Sequence, residues 1–297
     1  MEAKQLFYYG LVFLFGFFGK YCQVKFGRSV KSVFDLLLYV LITGSIASVF
    51  FFIMSGFNIK TNIPTTIYSV IYAAIVVLVH FSSLLLYREL DVSSATVLSS
   101  TLTLVMTFVA GVLFLKESVG TFDILRCAIM IMASVLLHFP QSKNNKTGLH
   151  INIKGLFLVL IYTAISVSAS VIANLYSKDE RVFDSNSFFF LTNVFVVIFM
   201  LAAIVFVTKG KMSLLSRELK AFSAKGYILT AASTVSSNLG SLVQILIFAS
   251  GDGITLYTPI AGALGLISTG LVAVLLKERP KIIPLLLACA SLFIGLL

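Results

Sequence analysis

Tryptophan is absent from this chain of 297 residues, and acidic side chains are scarce, with 12 Asp and Glu against 22 Lys and Arg. Charged residues make up only 11% of the sequence, less than half of the roughly 25% that covers an ordinary soluble domain. A water-soluble globular surface is therefore excluded. The three cysteines, Cys22, Cys127 and Cys289, lie far apart within apolar runs, which indicates neither a disulfide framework nor a zinc site. No G-x-x-x-x-G-K-[ST] sequence and no H-E-x-x-H occurs, so the chain carries no P-loop engine and no zincin motif. Gly251-Asp252 lacks the further glycine and the second intramembrane Asp of an aspartyl site. The acidic residues are also restricted in position: Asp35, Asp91, Asp123 and Asp252 all fall near the ends of apolar runs. A proton-coupled exporter of organic cations built around a buried carboxylate in its first span is disfavoured accordingly.

What the chain has is apolar sequence, 59% of its residues, at a mean hydropathy of +1.03. A hydrocarbon core about 30 Å thick needs about 20 helical residues per crossing. Runs of that length predict ten spans, at 5–24, 33–54, 64–87, 92–115, 121–140, 154–176, 187–208, 225–249, 254–276 and 282–297. Met1-Glu2-Ala3-Lys4 ahead of the first run has the look of a signal peptide, but Lys20 to Lys25 offers no small-x-small cleavage site, so the first span is read as uncleaved. The expected fold is an all-α polytopic membrane protein with no separate soluble domain. The formal charge of +10 is then a matter of topology rather than of nucleic-acid binding.

The Gln141 to Asn152 stretch divides the chain into two sets of five spans, 1–140 and 154–297, joined by 141–153. Shifting the first half by 161 residues places Asp91 on Asp252 and Leu115-Lys116-Glu117 on Leu276-Lys277-Glu278. An odd number of spans per half makes such a repeat inverted in the membrane. Those two Leu-Lys-Glu ends, with Pro259 and the Gly262, Gly265 and Gly270 run before the second, resemble the drug/metabolite transporter superfamily in its ten-span form with two EamA-type repeats. The resemblance covers nearly the whole chain through short motifs, and the first repeat lacks the span-four proline. It implies a substrate-translocating bundle and no particular substrate.

Charge sets the expected orientation. The odd-numbered loops carry 15 Lys and Arg and the even-numbered side five, which places the odd-numbered loops in the cytoplasm and both termini outside. A multi-pass protein of the plasma (inner) membrane is expected. By the same orientation the Asn145-Lys146-Thr147 acceptor sequence is cytoplasmic and stays unglycosylated.

An ionisable residue inside a span is a functional candidate by default. Lys20 and His80 fall at similar depth toward the cytoplasmic side. For Lys20 the competing reading is snorkelling to the interface, and for His80 a structural hydrogen bond. Arg126 is read as snorkelling, and His138 as a span end. Polar residues recurring every three or four positions mark helix faces that avoid lipid. Span four carries Ser93, Thr96, Ser100, Thr103 and Thr107. Span six carries Thr163, Ser166, Ser170, Asn174 and Ser177, and span eight Thr230, Thr234, Ser237, Ser241 and Gln244 with Asn238 beside them. Close packing explains any single stripe, whereas three stripes in both halves favour a shared polar cavity between spans 1, 3, 4, 6 and 8. The candidate substrate-binding residues are Lys20, His80, Ser100, Thr103, Ser170, Asn174, Ser237, Asn238, Ser241 and Gln244. Thr258, Gly262, Gly265 and Thr269 in span nine are read as a packing stripe. No catalytic residue, cofactor or metal is expected. The reading is a transporter or facilitator for a small polar metabolite, an amino acid or other carboxylate if the two cations face the cavity, working by alternating access. An intramembrane enzyme and a non-transporting membrane scaffold stand as alternatives.

Overall fold

A computed structural model of the chain describes residues 3–27, 33–89, 92–117, 120–136, 153–209, 219, 222, 224–251, 254–275, 286–287 and 289–290. Among them it contains helices and no strand. In chain order the helices are α1 (Ala3–Gly27), α2 (Val33–Met54), α3 (Ile63–Glu89), α4 (Val92–Leu113), α5 (Thr121–Leu136), α6 (Ile153–Lys178), α7 (Ser185–Val207), α8 (Ala224–Ala249) and α9 (Ile254–Leu275). They follow the first nine expected spans, and most of the tenth lies outside the described residues, as do Arg126's side chain, His138, Asn145 and the second Leu-Lys-Glu. Five are long and apolar enough to cross a membrane, over Phe34–Met54, Ile63–Leu86, Lys154–Lys178, Ser185–Val207 and Gly226–Ala249. Twenty-five residues of α-helix span about 38 Å, more than a hydrocarbon core.

Short connections make successive helices alternate in direction, and the side-chain clusters record this. At one end Phe26 of α1 packs among Leu36 and Tyr39 of α2, Leu84 of α3 and Ile204 of α7, with Phe222 and Tyr227 against them. At the other end Phe51, Tyr72, Ala110, Tyr176, Phe188 and Phe248 form an aromatic cluster, in which the Tyr176 and Phe188 rings stack at 4.1 Å. The α7 start is fixed there by Asp184, whose Oδ1 accepts from the Ser187 amide at 3.0 Å and whose Oδ2 accepts from the Ser187 hydroxyl at 2.9 Å, satisfying donors that a helix N-terminus leaves open.

The first Leu-Lys-Glu has a structural task at this same end. Lys116 takes φ +52°, a left-handed conformation uncommon outside glycine, and turns the chain after α4. Glu117 Oε1 then accepts from the amide of Ile254, the first residue of α9, at 3.0 Å, where a negative charge also suits the helix dipole. Lys178 Nζ at the end of α6 lies 3.8 Å from the same oxygen. One carboxylate thus joins the ends of α4 and α6 to the start of α9. Beside it, two hydrogen bonds from the Arg181 guanidinium and one from the Arg181 amide hold the Asp179 carboxyl well below the usual carboxylate range.

The helix packing has an internal regularity. α1 packs most heavily on α8, and α6 on α3; α7 packs on α3, and α2 on α8; α4 packs on α6, and α9 on α1. Replacing helix n by n+5, or n−5, carries each pair onto its companion. The remaining large contacts, α2 with α7 and α4 with α9, map onto themselves under the same exchange.

Candidate functional site

A cavity of about 450 Å³ lies between α1, α4, α6, α8 and α9, within the range of about 300–1,000 Å³ typical of small-molecule sites. α1 presents Gly16, Gly19, Lys20 and Gln23 to it; α4 presents Ser99, Thr103 and Thr107; α6 presents Tyr162, Ser166 and Ser170. α8 adds Ser236, Ser237, Gly240, Ser241 and Gln244, and α9 adds Tyr257, Thr258, Gly262 and Gly265. Along each helix these positions recur at the three- and four-residue spacing that keeps one face turned inward.

Lys20 is the one charged side chain among the described lining residues. Its Nζ donates to Thr269 Oγ1 at 2.6 Å, and that hydroxyl in turn donates to the Gly265 carbonyl at 2.7 Å. Both acceptors are neutral, so the positive charge stays uncompensated, and no carboxylate pairs with Lys20 among the described residues. Snorkelling is not what the side chain does here: it reaches across to α9 instead of along α1 to the interface. Several lining hydroxyls are committed to their own helices, Thr258 Oγ1 donating to the Ile254 carbonyl at 2.7 Å and Ser170 Oγ to that of Ser166 at 3.4 Å. Such back-bonding uses the proton and leaves oxygen lone pairs facing outward. Gln244 Nε2 reaches Ser170 Oγ at 3.5 Å. Thr107 Oγ1 is buried with no hydrogen-bond partner among the described residues.

α1 and α8 form the tightest wall. A Cβ on Gly19 would come within 3.3 Å of Ser237 Oγ, and Ser233 Oγ donates to the Gly19 carbonyl at 3.4 Å. Toward the Glu117 end the ring of Tyr257 stacks on Tyr9 at 6.2 Å and meets Phe248 edge-on at 5.1 Å.

The structure brings together Lys20, Thr103, Ser170, Ser237, Ser241 and Gln244 from the sequence-derived set. Ser100 lies on α4, but its side chain is outside the described residues. His80 lies elsewhere: its ring sits 5.9 Å from Tyr39 of α2 in an edge-to-face arrangement, and its buried Nδ1 has no partner among the described residues. Asn238 turns toward α7, where Asn193 Nδ2 approaches its Oδ1 at 3.5 Å. Asn174 is fully buried outside the lining, with both amide atoms unpartnered among the described residues. Neither depth, which points to His80, nor the polar stripes, which point to Asn174 and Asn238, fixes which side chains of a rotated helix reach the cavity, and that is why these three separate from the rest. α3 is not part of the lining and α9 is. Thr258, Gly262 and Gly265 line the cavity, although Gly262 also lies against Met130 and Leu104, at 3.4 and 3.6 Å from a Cβ placed on it. The sequence marks α9 only by its glycines, and a glycine stripe reads equally as close helix packing, the expectation for these residues from sequence.

No family model matches this chain, and no curated protein matches it in sequence. A solved structure described only as "Crystal structure of protein" shares the fold with a TM-score of 0.68, covering 99% of this chain and 96% of its own, at 13% identity. At that identity the likeness extends to the fold alone.

Proposed function

We propose that this chain is a secondary transporter or facilitator that moves a small polar metabolite, an amino acid or another carboxylate, across the plasma (inner) membrane. In this reading ten spans form two inverted repeats, 1–140 and 154–297, that rock about the site between them, with the odd-numbered loops in the cytoplasm. The observation that carries it is the cavity itself: among the described residues, hydroxyls, amides and one ammonium line a cavity between five helices of an otherwise apolar bundle. Polar groups at this depth are costly unless they serve water or a solute. The packing pairs related by five helices support the repeat, since α1 and α6 run in opposite senses and a two-fold that exchanges them inverts one half.

Reconstituted into liposomes and offered a mixture of small polar metabolites, the protein should give saturable, protein-dependent accumulation of at least one of them. Preloading the same solute inside should accelerate its entry, as exchange through one alternating site requires. Correctly inserted, folded protein that moves no member of the mixture would leave the scaffold reading in its place.

A further inference from the structure

We infer that the cavity selects a hydroxylated monoanion, such as a sugar acid or other hydroxycarboxylate, and discriminates against zwitterions, amines and polyvalent anions. The inference rests on the transport reading in taking the cavity as the substrate site, and it narrows that reading from amino acids and other carboxylates to carboxylates that carry no ammonium; the class of ligand follows from the lining.

The charge inventory is one-sided. Lys20 contributes a single ammonium whose partner, Thr269, is neutral, so an incoming carboxylate is the group that completes it. A charged donor facing a carboxylate makes a hydrogen bond roughly twice as strong as a neutral pair. No Asp or Glu stands among the described lining residues, and the sequence holds none deep within a span. The ammonium of an amino acid or amino sugar would exchange water for hydroxyls and amides alone, beside a fixed positive charge, and that desolvation is not repaid. A phosphate monoester or a dicarboxylate brings a second negative charge for which the described lining residues supply no second cation.

The hydroxyl preference has a separate basis. Thr258 and Ser170 have committed their protons to backbone carbonyls and present acceptors to the cavity. Ser237, which lines the cavity and is exposed, offers a hydroxyl that can donate as well as accept. Substrate hydroxyls both give and accept, so a polyol chain fits such a wall where an alkyl chain would strand it. The volume of about 450 Å³ would hold about fifteen waters at about 30 Å³ each, room for a hexonate with several waters retained.

Purified protein in detergent separates the possibilities through melting-temperature shifts with gluconate, glucose, glucosamine, alanine, citrate and glucose 6-phosphate. Gluconate should bind most tightly, at least about tenfold better than glucose and better still than glucosamine or alanine. Lys20→Met should lose that advantage, and Lys20→Arg should keep most of it. Tighter binding of glucosamine, alanine or citrate than of gluconate in the wild-type protein overturns the inference without recourse to any variant, as does a Lys20→Met protein that melts normally and binds gluconate unchanged. Gluconate flux in liposomes distinguishes the two levels. Specific binding without flux keeps the ligand class and removes transport, whereas flux of a neutral or zwitterionic solute without gluconate binding keeps transport and removes the ligand class.

Discussion

Replacing Gly265 by phenylalanine is expected to reduce transport to the level of empty liposomes while leaving the melting temperature close to that of the wild-type protein. Gly265 lines the cavity, and a Cβ built on it meets no atom within 4 Å. The substitution therefore adds a ring to open space rather than to packed protein. The backbone conformation is ordinary helix, and Phe costs only a few tenths of a kcal/mol more than an average helical residue while Gly itself is unfavourable there by about 1 kcal/mol, so the helix is not weakened. Gly16→Phe on α1, also lining the cavity and open by the same measure, should behave alike. A bundle whose polar stripes were packed and dry would respond in the other way, losing stability as the ring forced the helices apart. Flux and melting temperature measured on the same preparation separate the two outcomes.

Gly44→Leu should do the reverse, damaging the fold far from the cavity. A Cβ on Gly44 of α2 would lie 2.9 Å from Val196 Cγ1, 3.1 Å from Val197 Cγ2 and 3.4 Å from the Asn193 carbonyl of α7. Two of those three neighbours are branched side chains already packed against the core that α2 shares with α7, and Val196, the nearer, is 1% exposed, so it has no free space to enter. Overpacking of this kind costs about 1–3 kcal/mol for a small insertion, and leucine should exceed that range where alanine stays within it. Against a total stability on the order of 5–15 kcal/mol, the leucine variant should melt many degrees lower or fail to accumulate. Gly10→Leu, whose Cβ would meet nothing within 4 Å, is the control expected to leave stability unchanged. Equal melting temperatures for the Gly44 and Gly10 variants would mean that α2 and α7 do not approach as described.

The two glycine classes illustrate what the sequence disclosed and what it withheld. The helical character and limits of the runs were legible because an apolar run of about 20 residues has little choice but to be a helix in a membrane, and the nine described helices start and stop within a few residues of the runs. The polar stripes of α4, α6 and α8 were legible for the same reason, since hydroxyls at helical spacing must face away from lipid. Rotation about the helix axis was not. His80 has the depth of Lys20 but faces Tyr39 of α2, and Asn238, one residue from Ser237, faces Asn193 of α7. Nor did Gly262 and Gly265 reveal that they border open space, because a glycine stripe reads equally as close helix contact; Gly44 and Gly265 are indistinguishable until their neighbours are placed. The Leu-Lys-Glu signature was visible as a repeat mark, but its task at Glu117, receiving the first amide of α9, depends on a contact 137 residues away.

The central claim, that water and solute reach this cavity from each side of the membrane in turn, is tested most directly at Ser237, which lines the cavity and is exposed to it. With Cys22, Cys127 and Cys289 replaced by alanine, Ser237→Cys should react with a small, membrane-impermeant thiol reagent in right-side-out and in inside-out vesicles alike, and the substrate identified by flux should slow both reactions. Protection of the thiol from both sides, in protein that melts normally, would contradict the account.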